Sequence, residues 1–216
     1  MSINVSATNT KQSIIDAAIS LFNSKGFTGT SVREIAQKAK VNVAHISYYF
    51  NGKGGLLEYL VSEFYEGYIA AIEKNYSLLT AHSAKERLQQ MLLDILYYQH
   101  DNRQLARFVH REVTLDTILI REVMTTYLMK EKYYFTAILE EGMKRGEFRN
   151  ASIPHIILQL RSLLHMPYLQ SQYLSEVLYI QPHELFFVRQ YYKEILNSLN
   201  SLLAKPLKVR KTILVR

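Results

Sequence analysis

Apolar residues recur at intervals of three and four along most of the chain, which is the repeat of an α-helix. In the first such segment, 11–24, the positions Ile14, Ala18, Leu21 and Phe22 share one face. The same repeat predicts further helices at 31–39, at 43–49, from the 51–55 loop to about 79, around 88–100, around 105–109, at 118–146, and at roughly 152–175 and 182–203. We therefore predict an all-α fold of about nine helices.

Two capping residues place short helices close together near the N-terminus. Ser31, with Glu34 three residues later, forms the capping-box pattern that begins a helix, and Asn42 is a second N-cap residue. Three helices within so short a stretch, two of them separated by a turn of about three residues, are typical of a helix-turn-helix. In that motif the second short helix enters the major groove of DNA with its N-terminal residues.

The side chains in this region suit contacts with double-stranded DNA. Methyl groups can touch a thymine methyl, an imidazole can bond a base edge, and hydroxyl and ammonium groups suit phosphates. The predicted DNA contacts are Ser31, Arg33, Asn42, Val43, Ala44, His45, Tyr48, Tyr49 and Lys53. The alternative is a small helical subdomain without a ligand, although a seven-residue helix cannot bury both adjacent tyrosines. The sequence leaves open which of Tyr48 and Tyr49 contacts bases and which contacts phosphates.

Charge is concentrated at the two ends of the chain. The formal net charge is +7, of which residues 1–55 hold +4 and residues 204–216 hold +5, while 56–203 hold −2. Such asymmetry points to a polyanion, although a basic surface kept for solubility would look the same. We divide the chain into a helix-turn-helix domain (1–55), a helical dimerisation and regulatory or interaction domain (56–203), and a basic tail (204–216).

Composition excludes several classes of protein. The chain has no cysteine, which excludes disulfides, a thiolate zinc site and a cysteine nucleophile. Only 8 Gly and 4 Pro leave little turn material for a many-stranded β fold. The histidines lack metal-ligand spacing, and no carboxylate pair, nucleophile elbow or phosphate loop stands out. We therefore predict no metal, no cofactor and no enzymatic activity.

The N-terminus and the hydropathy pattern bear on location. The first ten residues are polar and do not form a secretory signal, and no apolar stretch approaches the ~20 residues that cross a bilayer. We expect a cytoplasmic, nucleoid-associated protein without a membrane partner.

The chain resembles the N-terminal DNA-binding domain of TetR-family regulators at residues 31–36, at residues 41–50, at Lys53 and at the pair Leu56-Leu57. Residues 142–149, where the predicted 118–146 helix ends, also resemble the family. The resemblance implies a homodimer that regulates transcription at a palindromic site. It also implies that the two copies pair through their last two long helices as a four-helix bundle. Apolar residues on more than one face of those helices agree with such pairing.

Within the family, residues 41–57 and 61–68 resemble a member from spore-forming Bacillus relatives that binds DNA and modulates assembly of the cell-division protein FtsZ. This implies a role in septation during sporulation. The predicted partner patch comprises arginines spaced by four, joined by a fourth nearby: Arg103, Arg107, Arg111 and Arg121. A solvated face paired with carboxylates is the competing interpretation.

The alternative function for residues 56–203 is that of a ligand-responsive repressor with a small-molecule effector pocket. Its many tyrosines, with Met91, Met124, Met143 and Met166, could line such a pocket. At helical spacing, the same residue types are more often part of a core.

Overall fold

The computed structural model describes residues 2–76, 82–115 and 117–204. These residues form eleven α-helices and one π-helical turn: α1 (Ser2–Lys25), α2 (Val32–Ala39), α3 (Ala44–Phe50), α4 (Gly52–Tyr76), α5 (Ala84–Asp101), α6 (Arg103–Glu112), α7 (Ile118–Val123), the π turn (Met124–Leu128), α8 (Met129–Lys144), α9 (Ile153–Leu169), α10 (Ser171–Glu176) and α11 (Leu185–Leu203). The predicted all-α fold is confirmed. The number exceeds nine because two predicted helices, 118–146 and 152–175, are each divided.

Helix α1 is longer than its hydrophobic pattern predicts, since it begins at Ser2 instead of position 11. The predicted apolar face is present, with Ile14, Ala18 and Phe22 fully buried. The positions before 11 lack that pattern, so periodicity alone could not detect the helix there.

Helix α4 connects the three N-terminal helices to the rest of the molecule. It packs against α3 on one side and along α5 on the other. At Gly67 the approach is so close that a β-carbon would clash with the ring of Tyr98. The Tyr98 hydroxyl donates to the Phe64 carbonyl at 2.7 Å, which joins α5 to α4. One continuous apolar core therefore extends from α1 through α4 into the body.

The π turn interrupts what the sequence predicts as one long helix. Its residue Tyr127 stacks on Tyr65 of α4, with ring centroids 5.5 Å apart. Pro167 lies inside α9, which continues through this proline to Leu169. No helix within the described ranges is both long and apolar enough to cross a membrane.

A buried polar cluster lies inside the body. Glu131 of α8 pairs with Arg161 of α9 and accepts a hydrogen bond from the Tyr68 hydroxyl at 2.7 Å. The Tyr68 oxygen also lies 3.3 Å from Nε2 of His165. The ring of His165 stacks on that of His110, with centroids 4.1 Å apart. The residues of this cluster come from α4, α6, α8 and α9 and are far apart in the sequence.

The tautomer of His110 follows from its neighbour Gln99. The Gln99 side-chain amide donates to the Leu164 carbonyl at 3.1 Å, so its oxygen faces the imidazole as an acceptor. His110 Nε2 lies 2.6 Å from that oxygen and must carry the proton. Burial, and secondarily the charge of Arg161, lower the pKa of His110 to about 3. The same causes, with His110 itself, hold the pKa of His165 well below its usual value. Both imidazoles are therefore neutral in the folded protein at pH 7.

Candidate nucleic-acid interface

Helix α2 begins as its sequence predicts. The Glu34 N–H donates to Ser31 Oγ at 3.2 Å, and the Ser31 N–H donates to Glu34 Oε2 at 2.8 Å, which completes the capping box. Lys25 of α1 lies 2.6 Å from the same carboxylate. The hydrogen bond from Lys25, followed by those from Ser31, lowers the pKa of Glu34 to about 2. Ser31, a predicted DNA contact, thus has its side chain engaged in starting α2, while Arg33 is exposed.

Helix α3 is held by two buried side chains and is preceded by a turn that a side chain closes. Ile46 and Phe50 are buried, whereas Val41 is half-buried. The Ala44 N–H donates to Asn42 Oδ1 at 2.9 Å. The helix begins at Ala44, one residue later than predicted, so its N-cap residue is Val43 and not the predicted Asn42. The Asn42 side chain instead closes a turn just before the helix. Its side-chain NH₂ group remains as a donor for an anion.

The other side of α3 is turned to solvent. Val43, Ala44, His45 and Ser47 are exposed, and 80% of Tyr48 is accessible. Small residues at the N-terminal end allow the backbone to approach a base edge, and His45 and Tyr48 add polar groups beside them. The exposed face thus combines the predicted base-reading residues in one turn and a half of helix.

The two adjacent tyrosines have different environments. Tyr48 projects outward, whereas Tyr49 is half-buried. The Tyr49 ring makes edge contacts with Tyr48, at 4.9 Å between centroids, and with His45, at 6.2 Å. Tyr49 therefore lies against the two outer rings, and Tyr48 is the more exposed of the two tyrosines.

Lys53, the predicted phosphate contact at the start of α4, is engaged within the protein. Its ammonium donates to the carbonyls of Phe27 at 3.0 Å and Thr30 at 2.8 Å. It also lies 4.5 Å from the centroid of the Phe27 ring. Lys53 fastens the loop between α1 and α2 to α4, and only its third N–H is left for a phosphate.

Lys53→Met should lower the free energy of unfolding by about 1–3 kcal/mol, because two carbonyls lose a charged donor while the aliphatic stem is kept. A pure phosphate contact would instead leave stability unchanged without DNA and reduce only the salt dependence of DNA binding. Urea denaturation of the free protein measures the difference. The exposed Lys38 supplies the matched control, Lys38→Met, for which we expect a change within ±0.5 kcal/mol.

Lys11 belongs to the same region but has no sequence signal of its own. Its ammonium lies 4.2 Å from the centroid of the Tyr59 ring and 5.8 Å from that of Phe50. This cation–π contact ties α1 to α4 and to the end of α3. Its aromatic partners lie some 40 to 50 positions away in the chain, so spacing could not indicate it.

The four predicted partner-patch arginines do not form one surface. Arg111 donates to the Phe22 carbonyl at 2.6 Å and thereby fastens α6 to the end of α1. Arg103 and Arg107 line a cleft of about 710 Å³ between α1, α4 and α6. Arg121 lies on α7 and is exposed. The structure therefore brings together only Arg103 and Arg107 of the four.

Helix α6 links the helix-turn-helix to the polar cluster. On one side the Phe108 ring stacks on Phe22 with centroids 5.0 Å apart, and Asn23 donates to the Gln104 carbonyl at 2.8 Å. On the other side His110 bonds Gln99 inside the body. A displacement of α6 would therefore move α1.

Two short helices, α2 and α3, that follow α1 and display an exposed face of α3 beside a basic N-terminal region define a helix-turn-helix DNA-binding protein. Residues 14–60 match the family model "Bacterial regulatory proteins, tetR family". The chain is 63% identical over 187 residues to the probable HTH-type transcriptional regulator YttP of Bacillus subtilis strain 168, covering 87% of this chain and 90% of that protein. The chain belongs to the TetR family. It is a transcriptional regulator, not an enzyme, and regulators of this family bind DNA and dimerise.

More distant relatives agree on the fold. The HTH-type transcriptional repressor NicS of Pseudomonas putida is 28% identical, with 74% of this chain and 76% of that protein covered. A solved tetR-family regulatory protein from Rhodococcus RHA1 has a TM-score of 0.72 at 23% identity, covering 87% and 95% of the two chains. A putative fatty acid metabolism regulator of Clostridium perfringens has a TM-score of 0.71 at 20% identity, covering 88% and 96%. At such identities the two structures show a common fold alone.

Proposed function

We propose that this regulator binds an inverted-repeat DNA sequence as a homodimer, with residues 1–55 reading DNA and residues 56–203 pairing the two copies. The observation that carries the proposal is the outward face of α3, where His45 and the 80% accessible Tyr48 stand beside the small residues Val43 and Ala44. Two such helices related by a two-fold axis would read half-sites about one helical turn, roughly 34–36 Å, or a multiple of it apart.

Selection from random duplex DNA tests this proposal directly. The wild type should enrich an inverted repeat, whereas the absence of any enriched sequence would contradict specific recognition. In the same assay, His45→Ala should relax the preference at one base position by about 1–3 kcal/mol, because it removes a base-edge contact. Lys38→Ala on the exposed side of α2 is the control for general loss of positive charge. If His45→Ala weakens all sequences equally, His45 does not read a base.

The finer proposal concerns cell division. Residues 41–57 and 61–68 resemble RefZ, and on that resemblance we propose that the DNA-bound protein acts at the nucleoid on FtsZ assembly during sporulation. The surface that we propose for the protein partner is formed by Arg103 and Arg107, since both residues of α6 line the same cleft. Guanidinium groups so placed can each pair with a carboxylate of an acidic protein segment. Arg111 is excluded from this surface because it bonds Phe22.

Purified protein added to FtsZ polymers, with and without its DNA site, tests the division role. The wild type should bind the polymers or change their assembly, and Arg103→Glu with Arg107→Glu should abolish the effect. Because this pair lies outside α3, the DNA sequence that the protein prefers should stay unchanged. The control is Arg121→Glu, an exposed charge on another helix. No effect of the wild type on polymers would remove the division role and leave the transcriptional regulator.

A ligand-responsive repressor is the second candidate function. The observation that favours it is a pair of buried polar atoms beside the polar cluster, Tyr65 Oη and His110 Nδ1, that have no hydrogen-bond partner among the described residues. A small molecule that met both atoms would bind one conformation better and shift the position of α6. A thermal-stabilisation screen, followed by measurement of DNA release, distinguishes this function, since a true effector must score in both assays.

A further inference from the structure

The cleft of about 710 Å³ lies where α1 faces α6, beside residues 59–63 of α4. Volumes of roughly 300–1,000 Å³ are typical of sites that bind small molecules. The α1 wall extends from Gln12 to Ser24, a length of about 18 Å at about 1.5 Å per residue. None of the residues of the buried polar cluster lines this cleft. It is therefore a candidate binding site that is separate from that cluster.

Apolar and charged side chains line the cleft at different depths. The apolar ones are buried or half-buried: Ile15, Ile19, Tyr59, Leu60 and Leu105. The charged ones are exposed, apart from a half-buried Arg107: Asp16, Glu63, Asp101, Arg103 and Arg107. An apolar floor below a small number of polar groups is the usual arrangement of a ligand site, in which the floor supplies affinity and the polar groups fix orientation.

Positive groups converge where α6 begins. Arg103 is the first residue of this ten-residue helix and Arg107 lies one turn later, and neither has an ion pair or a hydrogen bond among the described residues. Asn102 precedes the helix without forming a side-chain cap, so the first N–H groups of α6 are also available to an anion. Two guanidinium groups beside a helix N-terminus suit a carboxylate.

Asn23 of α1 adds an acceptor to the cleft that no donor matches. Its side-chain NH₂ group uses both hydrogens, donating to the Ile19 carbonyl at 3.0 Å and to the Gln104 carbonyl at 2.8 Å. These two bonds fix which end of the amide is nitrogen and therefore where Oδ1 lies. That oxygen is buried and has no hydrogen-bond partner among the described residues. Because a buried acceptor without a donor is unfavourable, the α1 wall favours a ligand that brings an N–H group.

We propose that this cleft binds a small zwitterion, a free amino acid or a short peptide, whose carboxylate pairs with Arg103 and Arg107 and whose ammonium faces α1 and α4. On those walls the ammonium meets the carboxylates of Asp16 and Glu63, and it carries N–H groups for Asn23 Oδ1. A ligand of one sign only would meet like charges in the same cleft, so charges of both signs on the walls favour both signs on the ligand. Apolar side chains on the ligand suit the floor.

The position of the cleft relates such a ligand to the rest of the protein. Asn23 Oδ1 is covered where α1 meets α6, so a donor reaches it as α6 shifts slightly away from α1. Ligand binding is thereby connected to the position of the DNA-binding helices. The ligand would also cover Arg103 and Arg107 and exclude an acidic partner segment from them. The inference goes beyond the proposed function, since neither DNA recognition nor pairing of two copies depends on it.

Isothermal titration calorimetry of the full chain with leucine and with leucyl-leucine tests the proposal. Both probes are zwitterions with apolar side chains, and the tighter of the two shows whether an amino acid or a peptide is the better ligand. N-acetyl-leucyl-leucine lacks the ammonium, and leucyl-leucine amide lacks the carboxylate. Each capped form should bind at least tenfold more weakly than free leucyl-leucine, because each leaves one set of charged groups in the cleft without its partner.

Variants of the cleft locate the binding. Arg103→Gln with Arg107→Gln should weaken leucyl-leucine at least tenfold and leave the fold intact, because neither side chain has a partner within the described protein. Ser20→Trp, at an exposed position of the α1 wall, should block the cleft and abolish binding. Lys132→Gln, an exposed charge on α8, is the control and should bind as the wild type does.

Three results would overturn the inference. They are the absence of saturable binding of both probes up to about 10 mM, equal affinity for the free and capped dipeptides, and unchanged affinity in both cleft variants. Any of them would leave the DNA-binding homodimer standing. A protein that binds leucyl-leucine as expected but selects no DNA sequence would overturn the proposed function alone.

Discussion

Glu131→Ala should lower the free energy of unfolding by about 3 kcal/mol, the lower end of the range for breaking a buried ion pair. Glu131 is 1% exposed and is the carboxylate that Arg161 and the Tyr68 hydroxyl both bond. Its removal leaves a guanidinium without its partner in a largely apolar setting. The lower end applies because a quarter of the Arg161 side chain is accessible to water. Thermal denaturation at one fixed protein concentration should show a melting temperature lower by about 6–12 °C.

Glu140→Ala provides the matched control for this prediction. Glu140 lies on the same helix but is exposed, so its removal should change stability by no more than about 0.5 kcal/mol. The double variant Glu131→Leu with Arg161→Leu should be more stable than Glu131→Leu alone, because it leaves no unpaired charge. Equal stability of the Glu131 and Glu140 variants would mean that the ion pair contributes nothing.

Acidification should destabilise the protein through its two stacked histidines. In the unfolded chain a histidine binds a proton below a pKa of about 6.5, whereas burial lowers the pKa of His110 to about 3 in the folded protein. Arg161 repels a proton on either imidazole, and His110 and His165 repel a proton on each other. Between about pH 3 and about pH 6.5 the unfolded state binds more protons than the folded state. The free energy of unfolding therefore has its full value above about pH 6.5 and decreases as the pH falls toward 3. Each histidine adds a slope that approaches about 1.4 kcal/mol per pH unit.

Urea denaturation at pH values from 7 to 4 measures this slope. His110→Gln keeps an amide donor for Gln99 and removes one titrating group, so the slope should decrease by about one proton. His155→Gln is the control, because His155 is exposed on α9. Carboxylates titrate in the same range in every variant, so the comparison between variants isolates the histidine. A slope for His110→Gln that equals that of the wild type would contradict the prediction.

The amino-acid sequence determined the local features of the DNA-binding region. The capping box of Ser31 and Glu34 acts over three residues, so the residues that make it also reveal it. The predicted Asn42 cap is wrong by one residue, because α3 begins at Ala44. The burial of Ile46 and Phe50, and the exposure of Val43, His45 and Tyr48, follow from helical periodicity. These features suffice to predict a helix-turn-helix and the side of α3 that faces DNA.

Tertiary structure decided what the charged side chains do. Arg111 follows Arg107 by four positions, which predicts a shared face, yet it bonds a carbonyl 89 positions away. Lys53 bonds carbonyls 23 and 26 positions away, and the Tyr68–Glu131 hydrogen bond spans 63 positions. A charged or polar side chain leaves water only where other elements supply its partners, and that depends on how helices pack. Periodicity and caps are properties of a few consecutive residues, whereas the partner of a buried charge is a property of the whole fold.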